Sequence, residues 1–316
     1  MIELRKDYIL DRWVIISEKR KDRPKEFKKQ ILVKSGICYF CPGNEDLTPK
    51  EIGRIEKNGK WKIRWFPNRF PFVLAYGRPE LKKKGQLEYG NSYGYHEIIV
   101  ETPEHKKQFS EHSIKEISYI LNVISNRIND LSKKKGIKYV AVFKNHGSDA
   151  GTSLIHSHLQ VAAYNKIPSL VKDEADLSTK GSKCRYCSII NREGKSNRSI
   201  FQNKSFVSFA PFASRFNYEV WIFPKKHYSN ITEMPQKDIL NLAEIMKKIF
   251  SRLKVINPSY NFFLHYAPKG QKLHFHIEVT PRIATWGGFE LQTGEIVNSV
   301  KPEEAAKFYL GRSAIK

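Results

Sequence analysis

With 316 residues, 40 % of them hydrophobic and 12 % aromatic, the chain can bury a substantial core, which argues against wholesale disorder. Its net charge of +23 raises the question of nucleic acid, but the basic runs at 19–21, 82–84 and 133–135 are scattered over separate segments, as solvated surface lysines are. The charged start lacks the apolar stretch of a secretory signal and no apolar run approaches the roughly 20 residues of a membrane span, so a soluble, cytoplasmic protein is expected.

The first landmark along the chain is Cys38-x-x-Cys41. Glu97-Ile98-Ile99-Val100 then leads into Pro103-Glu104-His105 and reads as a strand entering a turn. Ser113-Ile114-Lys115-Glu116 has the form of a capping box. Ile114, Ile117, Ile120, Leu121, Ile124, Ile128 and Leu131 recur at helical period, which predicts a core-facing amphipathic helix. Tyr139-Val140-Ala141-Val142-Phe143 is the next strand. A turn through Gly147 and Gly151 follows, and His156-Ser157-His158 opens a further strand, Leu159-Gln160-Val161-Ala162-Ala163. Residues 165–183 mix proline, serine and charge without a period and read as a linker.

The series then returns. Cys184-x-x-Cys187 is followed by the strand Glu219-Val220-Trp221-Ile222, which leads into Pro224 and His227. Ile239, Leu242, Ile245, Met246, Ile249 and Leu253 mark a second amphipathic helix, and Asn261-Phe262-Phe263-Leu264 a strand. A turn at Gly270 and His274-Phe275-His276 lead into Ile277-Glu278-Val279. Each copy is thus strands, a helix, a strand, a short turn and a strand, and the short final turn calls for antiparallel pairing. All four cysteines and six of the ten histidines fall in the two series. Disulfides are disfavoured in a reducing cytosol and neither C-x-x-C pair has a thioredoxin-like surrounding. Two thiolates with histidines downstream are what tetrahedral Cys₂His₂ ligation of zinc requires.

Residues two apart on a strand point to one face. One histidine of each His-x-His can therefore hold a metal while its neighbour faces a substrate. A neutral imidazole is a competent nucleophile toward phosphorus, and Gln160 lies on the same face as His158, able to donate to a phosphoryl oxygen. The pentapeptide 156–160 by itself fits a pair of satisfied structural histidines equally well. The flanking stretch 145–153, small and polar, favours the catalytic alternative, because its exposed backbone N–H groups could cradle phosphate.

These residues resemble the active-site segment of the galactose-1-phosphate uridylyltransferases, the nucleotidyl-transferring branch of the histidine-triad superfamily. The resemblance covers essentially the whole chain: Arg12-Trp13-Val14-Ile15, Arg20-x-x-Arg23-Pro24, Cys38-x-x-Cys41-Pro42-Gly43-Asn44-Glu45, Phe66-Pro67-Asn68, Pro103-Glu104-His105, the 144–160 segment, Gly288-Phe289-Glu290 and Pro302-Glu303-Glu304-Ala305-Ala306. It implies an α+β fold of two tandem histidine-triad-like domains, each a mostly antiparallel sheet with packed helices: 1–165 with the active site, and 166–316 as a catalytically silent repeat. It implies that His158 attacks the α-phosphorus of a nucleotide-sugar and holds the nucleotide covalently, while Gln160 steadies the adduct. Asn68, Asn145 and Ser153 would contact substrate, the latter two at its phosphates. Arg20 and Arg23 would add charge near the nucleotide, and Glu290 would bind sugar hydroxyls. A structural zinc would sit on Cys38, Cys41, His105 and His156. A homodimer is implied, with sites near its interface.

Two departures from the commonest family pattern resemble a subgroup that includes adenylyl-transferring sugar phosphorylases: Ser157 between the histidines, and Cys184-x-x-Cys187 where some members use a glutamate and three histidines. They leave open uridine or adenine as base, and a hexose 1-phosphate or inorganic phosphate as acceptor. Repeat symmetry selects Cys184, Cys187, His227 and His274 for the second metal, zinc or Fe²⁺, with zinc favoured by two thiolates; a set using His265 and His276 is the alternative. His276 is then the counterpart of His158, with Glu278 in the place of Gln160, and a carboxylate there repels phosphate. His96, His112 and His146 read as ordinary turn or surface residues, with places near the substrate as the alternative for His96 and His146. A zinc-stapled nucleic-acid-binding protein is the competing class, but a binding module has no need of the array at 145–160.

Overall fold

The computed structural model describes residues 2–6, 13–17, 37–178 and 184–313. Arg20 and Arg23 lie outside the described residues. In the first half, β1 (Ile2–Lys6) pairs with β2 (Trp13–Ser17), and β3 (Gly53–Lys57) forms a hairpin with β4 (Lys60–Pro67). Next, β5 (Leu81–Lys84) pairs with β6 (Leu87–Asn91), and β6 pairs with β1, completing a small sheet in the order β2-β1-β6-β5. Strand β7 (Gly94–Val100), helix α1 (Ile114–Ser132), and strands β8 (Tyr139–His146) and β9 (His158–Tyr164) follow.

The second half opens with helices α2 (Ser169–Ser178) and α3 (Arg185–Glu193) and strands β10 (Ser199–Gln202), β11 (Phe206–Phe209) and β12 (Val220–Pro224). Helix α4 (Gln236–Leu253), strands β13 (Tyr260–His265) and β14 (His276–Pro281), and helices α5 (Gly288–Thr293) and α6 (Pro302–Tyr309) complete it. The structure is α+β, and the named strands pair antiparallel throughout.

The two copies of the repeated unit share one ten-stranded sheet, in the order β10-β11-β12-β14-β13-β8-β9-β7-β4-β3. The halves join edge to edge where β13 meets β8, with Phe263 opposite Phe143. From that seam outward the strand orders mirror one another, β8-β9-β7 on one side and β13-β14-β12 on the other. Phe143 pairs with Gln160 and Phe263 with Glu278, so the registers correspond residue for residue.

The two long helices pack on each other over this sheet. The Ser113 hydroxyl accepts the Glu116 N–H at 3.2 Å and the Glu116 carboxylate accepts the Ser113 N–H at 2.8 Å, the reciprocal cap that starts α1 where the sequence signals it. Ile117, Ile120, Leu121, Ile124, Ile128 and Leu131 are buried, whereas Ile114 in the first turn is exposed. All six stripe residues of α4 are buried. Both helices feed one core that runs under both halves of the sheet.

Candidate active site

The backbone of each C-x-x-C pair is preset. Cys41 N–H bonds to Cys38 C=O at 3.2 Å, the Asn44 side chain donates to that same carbonyl at 2.9 Å, and buried Arg64 reaches the Tyr39 carbonyl at 3.2 Å. In the second half Cys184 caps α3 and Cys187 lies in its first turn. His105 and His227 come from the turns after β7 and β12, and His156 and His274 stand two residues ahead of the histidines that open β9 and β14.

The structure brings together Cys38, Cys41, His105 and His156 as one group and Cys184, Cys187, His227 and His274 as another. Sulfur-to-Nδ1 separations are 3.5 Å for Cys38–His156, 3.4 Å for Cys41–His105 and 3.6 Å for Cys41–His156. The second group shows 3.5 Å for both Cys187–His227 and Cys187–His274. A tetrahedral ion with thiolate bonds of about 2.3 Å and imidazole bonds of about 2.0 Å has S···N edges of about 3.5 Å, so both groups have the spacing to hold one. The outer nitrogens of the two buried histidines are committed: His156 Nε2–H donates to Thr102 C=O at 2.8 Å and His274 Nε2–H to Pro224 C=O at 2.9 Å, which leaves each Nδ1 for a metal. His265 and His276 do not join the second pair of cysteines. They gather on Glu174 of α2, with His265 Nδ1 at 2.5 Å and His276 Nε2 at 3.2 Å.

His158 opens β9 with its ring anchored at one end only. A carbonyl can only accept, so the 2.8 Å contact to His156 C=O places a proton on Nδ1 and leaves the Nε2 lone pair free. Burial, opposed by that hydrogen bond and aided by the nearby Lys144 ammonium, pushes this imidazole down to about 4, and it is neutral at pH 7. Phe40 packs edge-on against the ring, centroids 5.3 Å apart. His158 lines a cavity of about 300 Å³ together with Phe40, Phe66, Asn68, Ser153 and Gln160. The pleat sets Gln160 beside His158, and its Oε1 lies 3.0 Å from His96 Nε2. Asn68 Oδ1 accepts the Phe70 N–H at 2.9 Å, which turns its Nδ2 toward His96, 3.2 Å away.

Asn145 lies across the 147–155 loop, lining a second cavity of about 380 Å³ that shares Thr152, Leu154 and His158 with the first. Its Oδ1 accepts from Asn261 at 2.9 Å. Only glycine fits at 147: φ is 82° and a Cβ would sit 2.2 Å from Ser259 Oγ. The loop narrows one expectation, since the N–H groups of Ala150, Gly151 and Thr152 bond to Gly147 and Ser148 carbonyls and that of Asp149 to Ser259 Oγ, so these four are not among the donors open to phosphate. Glu290 accepts the Gly287 N–H at 2.9 Å as a cap of α5 and lines neither cavity.

The reading of three histidines as turn or surface residues also changes. His96 and His112 are buried, the former against Gln160, and His146 stacks on Tyr260 at 4.5 Å and lines the second cavity. Sequence reasoning missed Phe40, although the repeat carries a signal: Tyr186 occupies the matching place in the second C-x-x-C and lies 5.2 Å from His276, against 5.3 Å for Phe40 and His158. Lys144 and Glu101 were also missed, and these two are joined behind His158 only by strand pairing.

The counterpart ring at 276 has no comparable opening. Its Nδ1–H donates to His274 C=O at 3.0 Å, it is fully buried and stacked on Phe223 at 4.5 Å, and its Nε2 faces carboxylates of Glu174 at 3.2 Å and Glu278 at 3.8 Å. Glu278 in turn pairs with Arg215.

A family model of the galactose-1-phosphate uridyl transferase N-terminal domain matches residues 2–168, and one of a domain of unknown function (DUF4921) matches residues 100–310. An ADP-glucose phosphorylase of Arabidopsis thaliana is 34 % identical, covering 96 % of this chain and 91 % of its own length. A galactose-1-phosphate uridylyltransferase of Thermotoga maritima is 28 % identical over 97 % of each. Among solved structures, a uridylyltransferase aligns with TM-score 0.82 and 27 % identity over 98 % of both chains. The Arabidopsis thaliana ADP-glucose phosphorylase with bound ADP-glucose aligns with TM-score 0.77 and 29 % identity over 100 % of both. Matched in sequence and in fold from end to end, the chain belongs to the galactose-1-phosphate uridylyltransferase family.

Proposed function

We propose that this chain transfers a nucleoside monophosphate between a nucleotide-sugar and a second phosphate acceptor through a nucleotidyl-histidine at position 158. The observation that carries the reading is the unprotonated Nε2 of a neutral His158, facing a cavity beside Gln160 and Ser153. In the first step Nε2 attacks the α-phosphorus; a P–N bond forms, the P–O bond to the sugar phosphate breaks, and its electron pair leaves on that oxygen. In the second step an acceptor phosphate oxygen attacks the same phosphorus and the imidazole departs, which gives ping-pong kinetics. Gln160 and Asn68 bind the transferred nucleotide, and Ser153 and Asn145 contact phosphates. Arg20 and Arg23 add positive charge near the nucleotide.

Both Cys₂His₂ groups hold zinc. Four protein ligands leave no open position, so the metal is structural and fixes the turn that presents His158. The chain divides into units 1–165 and 166–316, the second silent. It works as a cytoplasmic homodimer with its sites near the interface, and Glu290 binds sugar hydroxyls. No helix among the described residues is long and apolar enough to cross a membrane.

UDP-glucose as donor with galactose 1-phosphate as acceptor is the leading reading. ADP-glucose with inorganic phosphate is the second, favoured by Ser157, by Cys184-x-x-Cys187 and by likeness to a protein named ADP-glucose phosphorylase. UDP-glucose, UDP-galactose and ADP-glucose, each offered with galactose 1-phosphate and with phosphate, decide between them. Turnover with none of the six combinations, and no protein-bound label from nucleotide-labelled donors, would sink both.

A further inference from the structure

Directly behind His158 lies a charged cluster that the transfer chemistry as described does not use. Lys144 Nζ is 2.9 Å from both carboxylate oxygens of Glu101, 2.8 Å from Ser157 Oγ and 3.2 Å from the His158 carbonyl. The Ser157 hydroxyl donates to Glu101, whose own N–H reaches the Ser157 carbonyl at 3.3 Å. The Lys144 and Glu101 side chains are 1 % and 0 % exposed. Other neighbours include the Phe109 ring, 5.7 Å from Nζ, His112, whose Nε2 is 3.9 Å from Glu101, and the second cavity, which Lys144 and Ser157 line together with His146.

The repeat supplies an internal control. By the shared register Lys144 corresponds to Leu264 and Ser157 to Phe275, and Glu101, just past β7, falls at the Phe223-Pro224 end of β12. The second half thus closes the same space with hydrocarbon, and Leu264 and Phe275 are 3 % and 0 % exposed. The fold itself has no need of a salt bridge there. Desolvating two charges is costly, and apolar residues of like size often serve stability as well or better. The charges occur only in the half whose histidine faces a cavity.

We infer that Lys144, anchored by Glu101, is a positioning residue that clamps Ser157 and the His158 carbonyl and so fixes the backbone that aims the His158 ring. Its contacts hold the two residues on either side of one peptide bond. The His158 Nδ1–H bond to His156 fixes rotation of the ring about that backbone. An in-line attack needs both, since a misplacement of about 1 Å can lower a rate on the order of 100-fold. The consequence for rate rests on His158 being the nucleophile; the consequence for the ring's order does not.

The test uses the full chain with two variants. Ser157→Ala keeps the ion pair and removes one arm of the clamp. The triple variant Glu101→Met, Lys144→Met, Ser157→Ala imitates the apolar second half and leaves no unpaired charge. Single-turnover labelling from nucleotide-labelled UDP-glucose or ADP-glucose should slow about tenfold in Ser157→Ala and on the order of 100-fold in the triple variant. KM should change by less than about threefold, and metal content and Tm should match those of the wild type. The ring ¹⁵N signals of His158, identified by their absence in His158→Asn, should be single and sharp in the wild type and broadened or multiple in the triple variant. Unchanged signals in a metal-loaded, folded variant overturn the inference even if the wild type accepts no label. So does a rate within threefold of wild type, or a loss that tracks metal or Tm. Labelling of the wild type that survives His158→Asn overturns the proposed function instead, and the ring signals still judge the clamp.

Discussion

His158 and His276 occupy matching positions at the start of matching strands, each with Nδ1–H on the carbonyl of a histidine two residues earlier. They differ in what meets the other nitrogen. At 158 it faces a cavity with an amide side chain and small polar loop residues. At 276 it faces Glu174, delivered by α2, and Glu278, which Arg215 holds. The expectation of silence rested on repulsion between Glu278 and phosphate; in the structure that charge is paired, and the stronger obstacle is occupancy. A duplicated scaffold can thus keep its geometry while one copy loses its opening, because strand register sets the ring's position but neighbouring elements set its access.

The largest effect should come from exchanging roles across this comparison. His158→Asn should abolish the covalent nucleotide adduct and lower turnover on the order of 10⁴-fold or more, whereas His276→Asn should leave turnover within about threefold; equal losses would mean that both halves react. Next, Cys38→Ser should remove about one metal ion per chain and lower turnover on the order of 10- to 100-fold. Cys187→Ser should lose as much metal but far less activity, and matched activity losses would show that the second centre also serves the reaction.

A smaller effect is expected at Glu174. Burial raises this carboxyl, but the His265 hydrogen bond and the charges of His276 and His265 outweigh burial and hold it at about 2, against an ordinary 4.5. A depressed carboxyl contributes stability above 4.5 that is lost as pH falls toward 2. Glu174→Gln should therefore lower Tm by a few °C at pH 7, and the gap to wild type should close in acid; a gap that widens there would contradict the pairing. The smallest change should follow Glu278→Gln, with turnover within about twofold, since it neither opens the buried ring nor touches the cavity at 158. A large loss would mean that the second half is not silent.

The repeat, the antiparallel strands, the two amphipathic helices and the membership of both Cys₂His₂ groups are legible in the order of the amino acids. Those features are periodic or local: apolar stripes, a reciprocal cap, and cysteines and histidines whose order recurs. It also put His158 and Gln160 side by side, because alternation along a strand needs no partner strand to be read. Long-range packing settled the rest: that the two units share one sheet, that Glu174 fills the space beside His276, and that Lys144 and Glu101 meet behind Ser157. Each of these joins residues far apart in the chain through strand pairing or helix placement. A charged residue on a strand reads as solvated until its neighbours are known, and burial, which turns such a residue into a clamp or a plug, is a property of the assembled layers rather than of the segment that carries it.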